Sequence, residues 1–243
     1  CDWSSDVCSS DLLELDLQVD PAVHPLVGHA ILHGQRPVGG KGSVRLHLEE
    51  LTVESVEANG GPTLWHHADG ILTVDAPEGA FTLSIRYHGR PRKGLYFVGP
   101  TAAEPHRQQE VWSQCQDEDA RYIFPCFDHP SVKHAFLIHI TAPCAYTVVS
   151  NGRLTEQRPL GDSTRWSWEQ REPMPAYLFT MVVMKADLVG DAWDGIPVRY
   201  VVPAGTDPAM VRRVFGKTPE MVGFLSGLFG RYPWPRYDQV VVH

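Results

Sequence analysis

The chain has 243 residues, 43% of them hydrophobic and 21% charged. These are ordinary values for a folded globular chain, and they exclude a disordered segment or a coiled coil. The balance of 21 basic against 29 acidic side chains, a net charge of −8, argues against a surface built to coat nucleic acid or an anionic bilayer. The longest mostly apolar stretch, around Ala176 to Met184, is nine residues with Thr180 inside it, too short for a membrane-spanning helix.

Both ends are unusual. Residues Cys1 to Leu12 read CDWSSDVCSSDL, with no apolar period and none of the layout of a signal peptide. They resemble translated sequencing-adapter sequence and are set aside from the fold as a non-native segment. At the other end, Asp238 to His243 (DQVVVH) is a β-branched run with no turn or cap. The sequence is therefore expected to be a piece of a longer gene, cut on both sides. With Cys1 and Cys8 set aside, Cys115, Cys126 and Cys144 remain. They form neither a disulfide framework nor a C-x-x-C zinc pair, and each is expected to be a buried or half-buried thiol. The compartment is left open, the cytoplasm being the default.

From Leu13 to about Lys185 the chain reads as short alternating runs divided by turn residues. Leu13-Glu-Leu-Asp-Leu-Gln-Val19 alternates apolar and polar without a break, the period of a half-buried strand. The same pattern predicts strands at residues 43–48, 71–74, 81–87, 135–140, 146–149, 165–168 and 177–183. Breakers at Asn59-Gly60-Gly61-Pro62, Ala76-Pro77-Glu78-Gly79 and Ser150-Asn151-Gly152 separate them. Many short strands with almost no helical period predict a mainly β architecture, a sandwich or saddle of antiparallel sheets over 13–192.

Near Gly195 the character changes. Ile196 to Val202 predicts one more strand, and Asp207-Pro208 offers a helix cap followed by proline at the first helical position. Val211, Val214 and Phe215 follow at helical spacing, then Met221, Val222, Leu225, Leu228 and Phe229. Pro219 should bend or restart this helix, with Thr218 as a second cap, and Gly230 should end it. Residues 193–243 therefore read as the opening strand and helix of a second domain.

The twelve histidines invite a metal hypothesis, but their spacings do not assemble one. His29 and His33 are four apart without the Glu of H-E-x-x-H and outside any helical period. His129, His134 and His139 are five apart, which aligns on neither a helix nor a strand. The rings of His66 and His67 would point to opposite faces of a strand. No G-x-S-x-G elbow occurs. Gly39-Gly40-Lys41-Gly42-Ser43 leads into a strand rather than a helix, so it reads as a loop and not as a phosphate cradle.

One segment stands out, Val111 to Pro130 (VWSQCQDEDARYIFPCFDHP). If residues 111–116 are extended, Gln114 and Gln116 project to one face and Cys115 to the other, into packing. Paired amides can accept from an α-ammonium and donate to a carbonyl, which suits holding a peptide end. The same spacing also fits a solvated strand face. Gln114-Cys115-Gln116, Ala120-Arg121 and Phe124-Pro125-Cys126-Phe127-Asp128-His129-Pro130 resemble the N-terminal domain of the aminopeptidase N family of zinc peptidases, which includes leukotriene A4 hydrolase-like enzymes. Gly94-Leu95-Tyr96-Phe97, Ser150-Asn151-Gly152, Met174-Pro175-Ala176-Tyr177-Leu178 and Tyr232-Pro-Trp-Pro-Arg-Tyr-Asp-Gln-Val240 extend the resemblance from Leu13 to His243.

The resemblance implies an N-terminal β-saddle packed on a thermolysin-like α/β catalytic domain, to which it lends one loop. It implies that Gln114 and Gln116 line the first subsite and help hold the free amine of a peptide substrate. Many family members carry Glu at the second position, and Gln116 lacks that charge. Arg121 and Asp128 are expected to pair and hold the loop. Zinc is implied for the parent protein, with Glu as general base. Its H-E-x-x-H ligands and the G-x-M-E-N loop do not occur in these residues, so the catalytic domain would be the missing partner and this piece alone would cleave nothing. Neither nucleic acid nor membrane is an expected partner. The other function class that this resemblance allows is a non-catalytic scaffold using the same saddle for assembly.

Overall fold

The computed structural model describes residues 9–37, 39 and 43–243. Residues 1–8 of the segment set aside, and Gly40 to Gly42 of the glycine loop, lie outside the described residues. The alternation seen in the sequence becomes β1 (Ser9–Asp20), in which Leu13, Leu15, Leu17 and Val19 are buried on one face. The strand already runs at Ser9, where its backbone registers with Gln35 at the far end of β2 (Val23–Arg36).

Next come β3 (Val44–His47), β4 (Leu51–Ala58), β5 (Gly61–Pro62), β6 (Trp65–Ala68), β7 (Ile71–Val74) and β8 (Gly79–Gly89). Two of their turns are Asn59-Gly60 and Asp69-Gly70, each with both residues at positive φ, the geometry that matches the strand twist in a tight hairpin. The chain continues through β9 (Gly94–Val98), β10 (Glu110–Gln114), β11 (Lys133–Pro143), β12 (Thr147–Ser150), β13 (Arg153–Leu160), β14 (Ser163–Pro175) and β15 (Met181–Met184). It closes with β16 (Ala186–Trp193), β17 (Ile196–Pro203), α1 (Pro208–Phe215), α2 (Thr218–Phe229) and β18 (Tyr237–Val240).

Four sheets result among the described residues. The largest runs β13-β14-β11-β1-β2-β8-β4-β5, and a second runs β12-β15-β10-β9. Smaller sheets are β3-β7-β6 and β16-β17-β18. The chain is mainly β, as expected. The pairings are antiparallel except β1 with β11 and β17 with β18, which are parallel. One apolar core joins the inner face of the main sheet to the second sheet and to β3 and β7. The run Met181-Val-Val-Met184 is buried on both faces: Met181 and Val183 enter this core, while Val182 and Met184 meet Val149 and Val201 in another. A strand covered on both sides reads as continuous apolar sequence. The β16–β17 hairpin turns at Asp194-Gly195 and so crosses the boundary drawn at 192–193.

Several expectations need correction. Tyr177 to Val183 is not one strand. Ala176–Leu178 is a single 3₁₀ turn, and the Asn151 side chain engages the Leu178 carbonyl and the Thr180 amide, so those groups do not enter a ladder. Thr218 does not cap α2 through its side chain; its hydroxyl donates back to the Phe215 carbonyl at 2.7 Å. Asp207 does cap α1, accepting from the Ala209 amide at 2.9 Å. Cys115 and Cys126 are buried, but Cys144 is exposed because it sits in the turn that follows β11.

On the outer face of the main sheet, Asp16 registers with His29 on one side and His139 on the other. His29 Nε2 lies 2.8 Å from Ser84 Oγ, and His139 Nδ1 lies 2.9 Å from Ser167 Oγ. Burial and then Arg86 lower the pKa of His29, while burial and then Arg165 lower that of His139; Asp16 and Glu14 pull both the other way. A depressed folded-state pKa contributes stability that is present above the unfolded value and lost as pH falls through the folded one. The urea midpoint is therefore expected to drop as pH falls from about 7.5 to about 5.5, with a shallower slope in the His29→Gln/His139→Gln double variant. An equal slope in the double variant would refute this account.

Candidate functional site

Gln114 ends β10, and its backbone registers with Gly94 of β9. Cys115 turns inward at 1% exposure, and burial raises its thiol pKa. Gln116 lies beyond the strand, in a turn that runs to Asp119, and the Gln116–Asp117 peptide is cis. The strand expected over 111–116 thus stops two residues early. Gln114 and Gln116 are nevertheless both exposed, with the buried Cys115 between them. The turn closes through the Asp119 amide to the Cys115 carbonyl at 2.8 Å. Gly94 makes room for it: at φ +71°, a Cβ there would sit 2.2 Å from the Asp119 carbonyl oxygen, so only glycine allows this approach.

Behind the turn, a single 3₁₀ turn at Ala120–Tyr122 leads into Phe124. Phe124 is fully buried, edge-on to Phe136 at 6.2 Å and to Phe179 at 4.9 Å. The segment is stitched to the end of β3 by backbone bonds. The His47 amide donates to the Cys126 carbonyl at 2.8 Å, and the Glu49 amide donates to the Arg121 carbonyl at 2.9 Å. Asp128, 2% exposed, accepts from both the backbone amide and Nε of Arg121, at 3.1 and 3.0 Å. Arg121 also donates to the Asp128 carbonyl at 3.2 Å and to Glu118 at 2.8 Å. The Asp128 amide in turn donates to His47 Nδ1 at 3.1 Å, which fixes that nitrogen as an acceptor. Burial raises the Asp128 pKa, opposed by the bonds from Arg121. Burial and then the same arginine lower that of His47.

The expected Arg121–Asp128 pair is thus present. Sequence reasoning missed Ser113, whose hydroxyl accepts from the Met181 amide at 2.8 Å and donates to the Phe179 carbonyl at 3.3 Å. It also missed Glu110, a fully buried carboxylate that accepts from the His243 amide at 2.6 Å. Glu110 opens β10 after the polar run Arg107-Gln-Gln109, so no local pattern signalled its burial. Among the described residues, no group of three His, Cys, Asp or Glu is arranged to hold a metal ion. His33 pairs with Glu14, His67 lies 2.9 Å from the Leu48 carbonyl, and the buried His134 stacks near Phe127.

Removing one member of a buried pair leaves the other charge uncompensated, so Arg121→Ala is expected to cost roughly 3–5 kcal/mol in urea unfolding. Arg121→Lys should recover only part of this, because a point charge cannot reproduce the fork of contacts to Asp128 and Glu118. A loss within error for Arg121→Ala would show that the pair does not hold the loop.

With this geometry in place, the chain can be set beside known proteins. The family model for the Peptidase M1 N-terminal domain matches residues 9–178. Aminopeptidase N of Acetobacter pasteurianus is 29% identical over 170 residues, covering 68% of this chain and 48% of that protein. Aminopeptidase N of Escherichia coli K12 is 30% identical over 190 residues, 74% of this chain and 20% of that one. Leukotriene A-4 hydrolase of Xenopus laevis is 29% identical over 141 residues, 54% of this chain and 22% of that one. The crystal structure of an M1 zinc metallopeptidase from Deinococcus radiodurans superposes with a TM-score of 0.80 at 22% identity, over 97% of this chain and 56% of that one. The chain spans less than half the length of these curated relatives. Its matched region, more than half of the chain, makes it a member of the Peptidase M1 N-terminal domain family.

Proposed function

We propose that this chain is the N-terminal part of a zinc-dependent aminopeptidase, and that it supplies the loop that receives the free amine and first residue of a peptide substrate. The observation that carries the reading is the exposed pair Gln114 and Gln116, held from behind by a buried thiol, a buried aromatic and a buried carboxylate paired with the half-buried Arg121. Two amides on a rigid support offer acceptors to an ammonium and donors to a carbonyl without reorganising. A scaffold has no need of such a pair, so the arrangement favours the enzyme.

Residues 13–192 would form the saddle, and 193–243 the beginning of the catalytic unit. The relatives' printed activities, aminopeptidase and zinc metallopeptidase, supply the reaction class: hydrolysis of the first peptide bond. The described residues do not fit a zinc site, so no step is routed through zinc here. Its ligands, and the remaining walls of the first subsite, would come from the missing catalytic domain. Gln116 carries no charge, so attraction of the ammonium would rest on a carboxylate of that domain, with the amides setting its direction.

In the full-length protein, Gln116→Ala is expected to raise KM or lower kcat/KM for aminoacyl substrates by about tenfold without changing the thermal midpoint. Wild-type kinetics in that variant would remove Gln116 from the substrate site.

A further inference from the structure

Three sequence motifs play no part in the loop itself: Ser150-Asn151-Gly152, Met174 to Leu178, and Tyr232 to Asp238. The fold brings them to one cleft of about 270 Å³, lined by Ser150, Asn151, Gln170, Leu178, Thr180 and Arg236 among others. Arg236 is its centre. Its terminal nitrogens donate to the carbonyls of Gly152 and Ser150, and its Nε donates to Asp238 at 2.8 Å. Its guanidinium lies 4.3 Å from the centroid of the Trp168 ring. Asp238 is held in turn by Arg199, at 2.8 and 2.5 Å. A planar fork with a partner on each of its three nitrogens sets the position of both carbonyls, which a lysine cannot do.

Those carbonyls bracket Asn151. Its Nδ2 donates to the Leu178 carbonyl at 3.0 Å, and its Oδ1 accepts from the Thr180 amide at 2.6 Å. Ser150 Oγ donates to the Thr180 carbonyl at 2.7 Å. At Gly152, with φ +75°, a Cβ would lie 2.0 Å from the Glu169 carbonyl oxygen, so only glycine fits this turn. From residues 179–181 the connection passes to Ser113, which bonds the Phe179 carbonyl and the Met181 amide. The place where this happens matters. The β10–β15 ladder ends at Trp112 opposite Val182, and beyond it the Ser113 hydroxyl ties β10 to that side. The next residue is Gln114.

We infer that Arg236 and Asn151 are positioning residues for Gln114. Arg236 fixes the Ser150–Gly152 turn, Asn151 fixes residues 178–180, and Ser113 transmits that position to the end of β10. The β16-β17-β18 sheet, through Arg199, Asp238 and the adjoining Arg236, thereby sets the direction of an amide on the second sheet. The substrate consequence rests on the proposed role of Gln114; the structural coupling does not.

The test has two arms. In the full-length protein, hydrogen exchange is measured for Arg236→Lys, Asn151→Ala and Ser113→Ala. The first two are expected to speed exchange at residues 113–116 and 178–181 by about tenfold or more, with β1 and β8 unchanged. Ser113→Ala should do so at 113–116 and at Met181, whose amide loses its acceptor, but not at 178–180, which keeps the test valid if either of the other variants loosens the whole chain. Faster exchange confined to 148–153 and 232–238, or no change at 113–116 in Ser113→Ala, would overturn the coupling. In the full-length protein, Arg236→Lys is expected to raise KM for an aminoacyl p-nitroanilide about fivefold with kcat within about twofold, and to add nothing to Gln114→Ala. Additive effects would overturn the inference and leave the substrate reading standing. Wild-type kinetics in Gln114→Ala would instead remove Gln114 from the substrate site, whatever the exchange data show.

Discussion

The Arg121–Asp128 pair is the constraint on which the presented loop depends. A carboxylate this deeply buried is costly unless it is paired and hydrogen-bonded. Here Arg121 meets it with a backbone amide and a guanidinium nitrogen. To do so, the chain between them must fold back on itself, and that closure drives Phe124 into the core and leaves the turn after Cys115 facing outward. The backbone bonds from His47 and Glu49 then give the closed loop a fixed address on β3. The cost of burying charge is what makes the conformation single-valued.

The same economy of supports recurs in β15. Its four residues face two cores at once, so the second sheet cannot slide relative to either neighbour without opening apolar surface. Just before it, at residues 178–180, side chains complete the backbone: Asn151 donates to the Leu178 carbonyl and accepts from the Thr180 amide, and Ser113 accepts from the Met181 amide. Polar side chains with short reach take over where the ladder stops, which is why serine and asparagine occupy these positions.

Much of the architecture was legible in the sequence. Strict alternation at Leu13 to Val19 located β1 and its inner face, and Asp207-Pro208 located the start of α1. Other elements were disguised. In β2 the outward positions His29, Ile31 and His33 mix one apolar residue with two histidines, which blurs the period. β13 is exposed along most of its length and has little apolar signal. Gln114 and Gln116 were legible as exposed positions flanking a buried Cys115, whereas the turn that carries Gln116 was not. The partners of Arg236 were not legible at all: its carbonyl acceptors lie 84 and 86 residues away, a separation that no local pattern encodes.

The parallel pairing of β1 with β11 carries a consequence of its own. β1 stands inside the main sheet, between β11 and β2, although it is the first strand of the described chain. Leu15 finds its neighbour at Ile138, so the centre of the sheet is joined by contacts that are distant in the chain and slow to form. During synthesis, β2, β8, β4 and β5 can assemble from what has already emerged, while β11, β13 and β14 are still to come. β1 is the seam between these two halves. An amino-terminal truncation in this protein would therefore not trim an edge but divide the sheet into a three-stranded and a four-stranded piece.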